Sequence, residues 1–381
     1  MDQFNSALEQ EFPVNEQCIY LNHAAVAPWP TSAKKAVTRF AEENVTKGAS
    51  DYPHWLEVES ELRANIAQLI HATPDSVALV KNTSEALSFV AYGIDWQPGD
   101  TVVISDEEFP SNSIVWESLN DQGVNVRKVS LTGDEPEAEL LKAISEQPRL
   151  VSISAVQYAT GTRVDLEKIG QACQNSGTLF CVDAIQAVGA LEFDVRKIQC
   201  DFAMADGHKW LLGPEGLGFF YVRPEKMNDL SLNEYGWHMI KHASDYSQTT
   251  WEVADTAMRF ECGSPNMLAG YALEASTDLL LTVGLDNVAR AIEDNHAFLQ
   301  QQLQALGAEI LSPLNSQQRA GIITFKFEGI DSAWLYQQLM NKDVVCANRG
   351  GGVRFSPHFH TTKECMEGAI KALKSLLANG Q

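Results

Sequence analysis

Short apolar runs at 76–82, 100–106, 125–131, 149–157 and 178–183, with two more inside 201–222, alternate with amphipathic stretches along the first two thirds of the chain. Such runs predict buried strands, and their alternation with helices predicts an α/β fold with a mainly parallel, doubly wound sheet. Residues 31–72 read as helices with a break after Pro53, and helices are predicted near 135–147 and, capped by Asp165, over 165–176. Residues 1–30 read as irregular, because Pro13, Pro28 and Pro30 break any long helix. The stretch 223–262 is irregular and aromatic-rich, with Tyr235, Trp237, His238, Tyr246 and Trp251.

From 266 onward the pattern changes. Long helices near 266–283 and 286–306 precede strands near 321–327, 344–349 and 352–357, with further helices near 331–342 and 361–378. This order predicts a smaller α+β C-terminal domain. At 381 residues the chain exceeds one typical core. It divides into a segment 1–30, a large domain 31–260 and a small domain 261–381.

Composition narrows the partners. With 28 basic against 50 acidic residues the net charge is −22, which argues against nucleic acid or an anionic membrane. Any anionic ligand must be held by local groups. Seven scattered cysteines suggest neither a disulfide framework nor a zinc site, so reduced thiols in a cytoplasmic protein are expected. The opening Met-Asp-Gln-Phe-Asn-Ser lacks the features of a signal peptide, and no apolar run reaches membrane-spanning length.

The candidate chemistry centres on Lys209. It sits at a polar elbow between two apolar runs, flanked by His208 and Trp210, with glycines at 207, 213, 216 and 218. Such neighbours can favour the neutral, nucleophilic amine, and the glycines can let backbone approach a flat ligand. Lys209 is either a solvated turn lysine or a Schiff-base residue. Asp183 ends an apolar run, which in a parallel sheet points it into the ligand crevice; it is either a helix cap or a partner for a pyridine nitrogen. Thr83 and Ser84 open a helix after a strand, an arrangement that suits an anion. Phe109, fixed by Pro110, could stack on a planar ring or simply fill core. Arg354 lies between Val353 and Phe355 and needs a partner, either a structural acid or a substrate carboxylate.

Asp183-Ala-Ile-Gln186, followed by Asp206-Gly-His208-Lys209-Trp-Leu-Leu-Gly-Pro-Glu-Gly-Leu-Gly218, resembles the fold-type I pyridoxal-phosphate enzymes. More narrowly, it is similar to the class V aminotransferase group, which includes cysteine desulfurases, selenocysteine lyases, kynureninase and isopenicillin N epimerase. Matching segments run from Tyr20-Leu-Asn22-His23 to Val353-Arg354-Phe-Ser-Pro357. The resemblance implies an aspartate aminotransferase-like fold and a pyridoxal 5'-phosphate (PLP) cofactor bound by Lys209. It implies a ring-nitrogen contact from Asp183, ring stacking by Phe109, and phosphate contacts from Thr83, Ser84 and His208. Gln157 and Gln186 would lie near the phosphate or the phenolic oxygen. Asn22 and His23 would touch the substrate, and Arg354 would hold its carboxylate. Ser264 and Asn266 would reach the cofactor phosphate of the neighbouring subunit in a homodimer with shared active sites. Lys209 would then abstract the α-proton of an amino-acid substrate, leading to transamination, β-elimination or epimerisation.

One departure stands out. Desulfurases of this kind carry a cysteine shortly after the first arginine, whereas glycines follow Arg349 here and Cys346 precedes it in an apolar run. His358 and His360, lacking a third ligand nearby in sequence, do not make a metal site. A non-catalytic phosphate-binding α/β protein is the rival expectation, although the chain has no G-x-x-x-x-G-K-[ST] loop.

Overall fold

The computed structural model describes residues 8–133, 135–245, 247 and 249–379; the opening hexapeptide and Tyr246 lie outside the described residues. After a short β1 (Ile19–Tyr20), the chain forms β2 (Val77–Val80), β3 (Thr101–Ser105), β4 (Asn125–Val129), β5 (Leu150–Ser154), β6 (Leu179–Asp183), β7 (Phe202–Asp206) and β8 (Gly218–Val222). Strands β2 to β8 make one sheet in the order β2-β8-β7-β6-β5-β3-β4. All neighbours from β7 across to β4 are parallel, and β8 alone runs antiparallel to both β7 and β2. The reason is length: β8 follows β7 after a short loop, and a parallel return needs a crossover of a dozen or more residues.

Successive strand residues alternate between two cores. Val151, Ile153, Phe180, Val182, Ala203 and Phe219 enter one apolar cluster, while Leu150, Cys181, Phe202, Met204 and Phe220 enter the other. Both faces are therefore covered, which is why these strands read as continuous apolar runs. The chain steps outward from β3 to β4 on one side and from β5 to β7 on the other. Crevices at the carboxyl ends of strands beside such a switch point collect ligands.

The second sheet is antiparallel: β9 (Glu309–Ile310), β10 (Ile323–Lys326), β12 (Ala347–Arg349) and β13 (Gly352–Phe355) in the order β12-β13-β10-β9. The run expected near 344–349 splits, because β11 (Val344–Val345) leaves this sheet to pair in parallel with β1. Asn22 bridges Ser356 in the same sense, and the amide of Ser356 donates to Leu21. The N-terminal segment is thus sewn onto the C-terminal part, not irregular. Pro13 and Pro30 stand at the N-caps of helices Val14–Gln17 and Thr31–Lys47, so they start helices where they were expected to break them. The expected break after Pro53 lies earlier, at 48–51; Pro53 sits in the first turn of helix Tyr52–Leu69, where its missing N–H costs nothing. Helix Met267–Val283 packs against those two long helices, with Tyr271 against Phe40 at 4.9 Å.

The loop between β7 and β8 is tied down on several sides. The carbonyl of His208 accepts from the Ala27 amide (2.7 Å), and that of Trp210 from His358 Nε2 (3.2 Å). Trp210 Nε1 donates to Gln186 (2.7 Å), whose amide nitrogen donates to the Ala24 carbonyl (2.9 Å). Of the four glycines from 207 to 218, three serve packing: a Cβ on Gly218, the first residue of β8, would come within 2.4 Å of the Ala205 carbonyl, and on Gly207 or Gly213 within 3 Å of Leu273. Only Gly216 has a positive φ.

Gly189 closes the loop from the other side, with φ +90° and space for no Cβ, which would lie 2.3 Å from the Trp210 carbonyl. Gly189→Ala is expected to cost at least about 2 kcal/mol through backbone strain and overpacking, read as a lowered urea midpoint.

Candidate active site

Lys209, Asp183, Phe109, Gln157, His208 and Arg354 converge at the carboxyl edge of the large sheet. Lys209 is buried at 8 % exposure, and its Nζ stands 5.5 Å from the centroid of the Phe109 ring. Burial pulls the amine down to about 8, with Arg354 pulling the same way and Asp183 and Asp206 opposing. The cause is loss of water around the ammonium. Asp183 ends β6 and accepts a hydrogen bond from the Ile185 amide (3.1 Å). Burial pushes its carboxyl up to about 7; the charge of Glu108 raises it further, and the Ile185 bond and Lys209 hold it back.

Arg354, on β13, is 2 % exposed, and among the described residues it draws in no acid. Its Nη1 donates to the Tyr158 carbonyl (2.6 Å) and its Nη2 to Asn22 Oδ1 (3.4 Å), while Nε has no partner. Burial, with Arg349 nearby, lowers this guanidinium to about 10. A buried arginine held only by neutral oxygens is an unfilled anion site. Phe109 is 41 % exposed and meets Tyr158 edge-on (5.2 Å), leaving a ring face free to stack.

Other expected contacts fall elsewhere. His23 is wholly buried: Nδ1 bonds the Ser356 carbonyl (2.9 Å) and Nε2 meets His360 Nε2 (3.1 Å). It therefore cannot face a substrate. His358 and His360 complete this dry cluster, with His360 stacked on Phe12 at 3.7 Å. Thr83 gives both its amide and its hydroxyl to Asp206, so the anion at that helix N-terminus is a carboxylate of the protein itself. Ser84 remains exposed and donates to Ser111 (2.9 Å). Burial drives His208 down to about 4, and its Nδ1 lies 3.4 Å from Asp206 without a hydrogen bond. Gln186 spends its amide on Ala24 and Trp210, so it braces the loop. Asn266 caps helix Met267–Val283 (3.2 Å to the Ala269 amide), and with exposed Ser264 it lines a separate cavity of about 310 Å³ beside Trp55, Lys81 and Tyr271.

Two carboxylates escaped the sequence reading. Asp206 ends β7 as Asp183 ends β6, and that shared strand-end position was the available signal. Glu108 left none, since two of its three partner residues, Ser154 and Gln157, lie more than 40 positions away. Elsewhere, Glu59, His238 and Glu261 offer ligand atoms within 4.8 Å of one another. Arg63 already bridges both glutamates and fills the place a cation would take.

The family described as Aminotransferase class-V matches residues 19–365. The chain belongs to the class V aminotransferase family. It is 29 % identical to a "Probable cysteine desulfurase" of Methanothermobacter thermautotrophicus, over 98 % of each chain. It is likewise 29 % identical to the "Uncharacterized aminotransferase YcbU" of Bacillus subtilis, over 97 % of each. Among solved structures, the cystine C–S lyase C-DES, in complex with its product cysteine persulfide, superposes with a TM-score of 0.88 at 22 % identity, covering 95 % of this chain and 98 % of that one. The fold is that of the fold-type I enzymes, and the class V member is a PLP-dependent enzyme. The residues fit that cofactor: a free aromatic face, a buried carboxylate, an amine losing its proton, and the unpartnered Gln157 Oε1 and His208 Nδ1. Among the described residues no helix is long and apolar enough to cross a membrane.

Because Lys209 is neutral above about 8 and protonated below it, labelling of this lysine by an amine reagent in the cofactor-free chain should rise as the pH passes through about 8. Quantitative mass spectrometry of the Lys209 peptide checks this; an ordinary solvated lysine would not rise until about 10.4.

Proposed function

We propose that this chain is a PLP-dependent C–S (or C–Se) β-lyase acting on an amino acid, with the leaving chalcogen departing on its own substituent and not on a protein thiol. The buried, acid-free guanidinium of Arg354 beside Lys209 carries the reading. A substrate α-carboxylate supplies the charge that this group lacks, and pairing there holds the α-carbon near the amine.

When bound, PLP supplies an electron sink that acidifies the α-C–H of an amino acid joined to it. Lys209 would hold the cofactor, and its amine would be the general base that takes the substrate's α-proton. Its amine, lowered by burial to about 8, is half unprotonated there, where an ordinary lysine would be almost wholly charged. Asp183 would sit at the ring nitrogen, where the negative charge of its carboxylate, with Glu108 near it, would favour a proton on that nitrogen. Phe109 would cover one ring face and exclude water. Ser84 and His208 would serve the phosphate, while Thr83 holds Asp206 in place. Loss of the α-proton and departure of the β-sulfur with the bonding pair leave an enamine that hydrolyses to pyruvate and ammonia.

The cysteines support a thiol-free route. Cys173, Cys181, Cys200, Cys346 and Cys365 are buried, and burial pushes Cys173 and Cys346 up to about 12. Half-buried Cys262 faces Glu234, which also raises it. The protein would work as a cytoplasmic homodimer, with Ser264 and Asn266 offered to the partner's cofactor phosphate.

With cystine or an S-substituted cysteine, pyruvate and ammonia should appear without added keto acid, and Cys18→Ser, Cys262→Ser and Cys346→Ser should keep activity within about twofold. Turnover that depends on a keto acid, or is lost in one of these thiol variants, overturns the reading. Arg354→Gln should lower kcat/KM by about 30- to 4,000-fold, the equivalent of about 2–5 kcal/mol for an unpaired buried charge. Lys209→Ala should abolish any borohydride-trapped adduct.

A further inference from the structure

Glu108 is a buried carboxylate, and among the described residues no cation pairs with it. Four donors converge on it: the Ser154 amide (2.9 Å), the Ser154 hydroxyl, Asn112 Nδ2 (2.8 Å) and Gln157 Nε2 (3.0 Å). Asn112 is itself fixed, its Oδ1 accepting from Trp116 Nε1 (2.9 Å) and the Ser152 hydroxyl (2.6 Å). Ser154 lies directly opposite Asp183 in the β5–β6 register. The residue after Glu108 is Phe109. One carboxylate therefore braces the strand end beside the acid, the amide beyond it and the turn that presents the aromatic ring.

We propose that Glu108 is a positioning residue of this active site: it fixes which way the Gln157 amide faces, and it supplies the negative charge beside Asp183 that keeps a ring nitrogen protonated there. Turning the Gln157 amide over would set Oε1 against the Glu108 carboxylate, so nitrogen must face Glu108. One amide hydrogen and the unpartnered Oε1 are then left for a ligand. The second effect is electrostatic. Asp183 is faced by Glu108 from the turn after β3, by Asp206 from the end of β7 and by Lys209 from the loop beyond. The groups that bond Glu108 are all uncharged: burial raises its carboxyl, and the hydrogen bonds from Ser154, Asn112 and Gln157 pull it back toward the anion. Its charge is among the causes that raise Asp183.

This inference rests on the reading of Lys209 and Asp183 as the ring cradle, which the trapped adduct lost in Lys209→Ala tests separately. Its own test is Glu108→Gln in the full chain loaded with PLP. The readouts are the pH titration of the cofactor's visible band, the PLP dissociation constant and Tm. The amide keeps the shape and removes the charge. The band's midpoint should fall by about one unit, the usual size for a neighbouring charge, and the dissociation constant should rise about tenfold. Glu108→Asp should restore the midpoint even where it lowers Tm. A midpoint and a dissociation constant both unchanged in Glu108→Gln overturn the proposal, as does a fall in Tm alone. If that variant does not fold, Ser154→Ala decides. It removes one donor from Glu108, makes the carboxylate harder to ionise and should move the midpoint the same way; an unmoved midpoint overturns the proposal.

Discussion

Desolvation of one amine governs this site. An ammonium stripped of water is costly unless charges replace the water, and around Lys209 they only partly do so. Asp183 and Asp206 favour the cation, whereas Arg354 opposes it, and burial outweighs them all. The same dry volume lifts Asp183 and Asp206 and lowers Arg354. Each group's proton affinity is held away from its ordinary value, a displacement that costs stability.

Such strain persists because the backbone around it does not yield. Lys209 lies on a short loop whose flanking carbonyls are taken by Ala27 and His358 and whose tryptophan is bonded to Gln186. These ties come from the N-terminal segment, the C-terminal part and the β6 loop, so three distant regions fix one side chain. The neutral histidine cluster of His23, His358 and His360 lies behind this clamp. Burial lowers all three, so they act as packed, hydrogen-bonding rings and carry no charge into the site.

Much of the fold was legible because a strand covered on both faces leaves an unmistakable apolar run. Where two strands adjoin closely in sequence, as with β11 and β12, the run hid a change of sheet that only the pairing of Ile19 with Val344 reveals. Prolines misled for a related reason: at an N-cap or in a first turn the residue is compatible with the helix, and sequence alone does not say on which side of it the helix lies. Thr83 was rightly placed at a helix N-terminus, but its amide went to an acid 123 positions away.

By itself the sequence determined the strand-and-helix order, the acid at the tip of β6, the lysine after β7 and the isolated arginine between apolar neighbours, since each is a local pattern whose physics acts within a few residues. Tertiary structure alone decided that His23 faces inward, that Asp206 occupies the helix terminus and that Glu108 joins Ser154 to Gln157. Those outcomes depend on which remote groups arrive in a water-free space, and hydrogen bonds made there carry no trace in the spacing of the residues that make them.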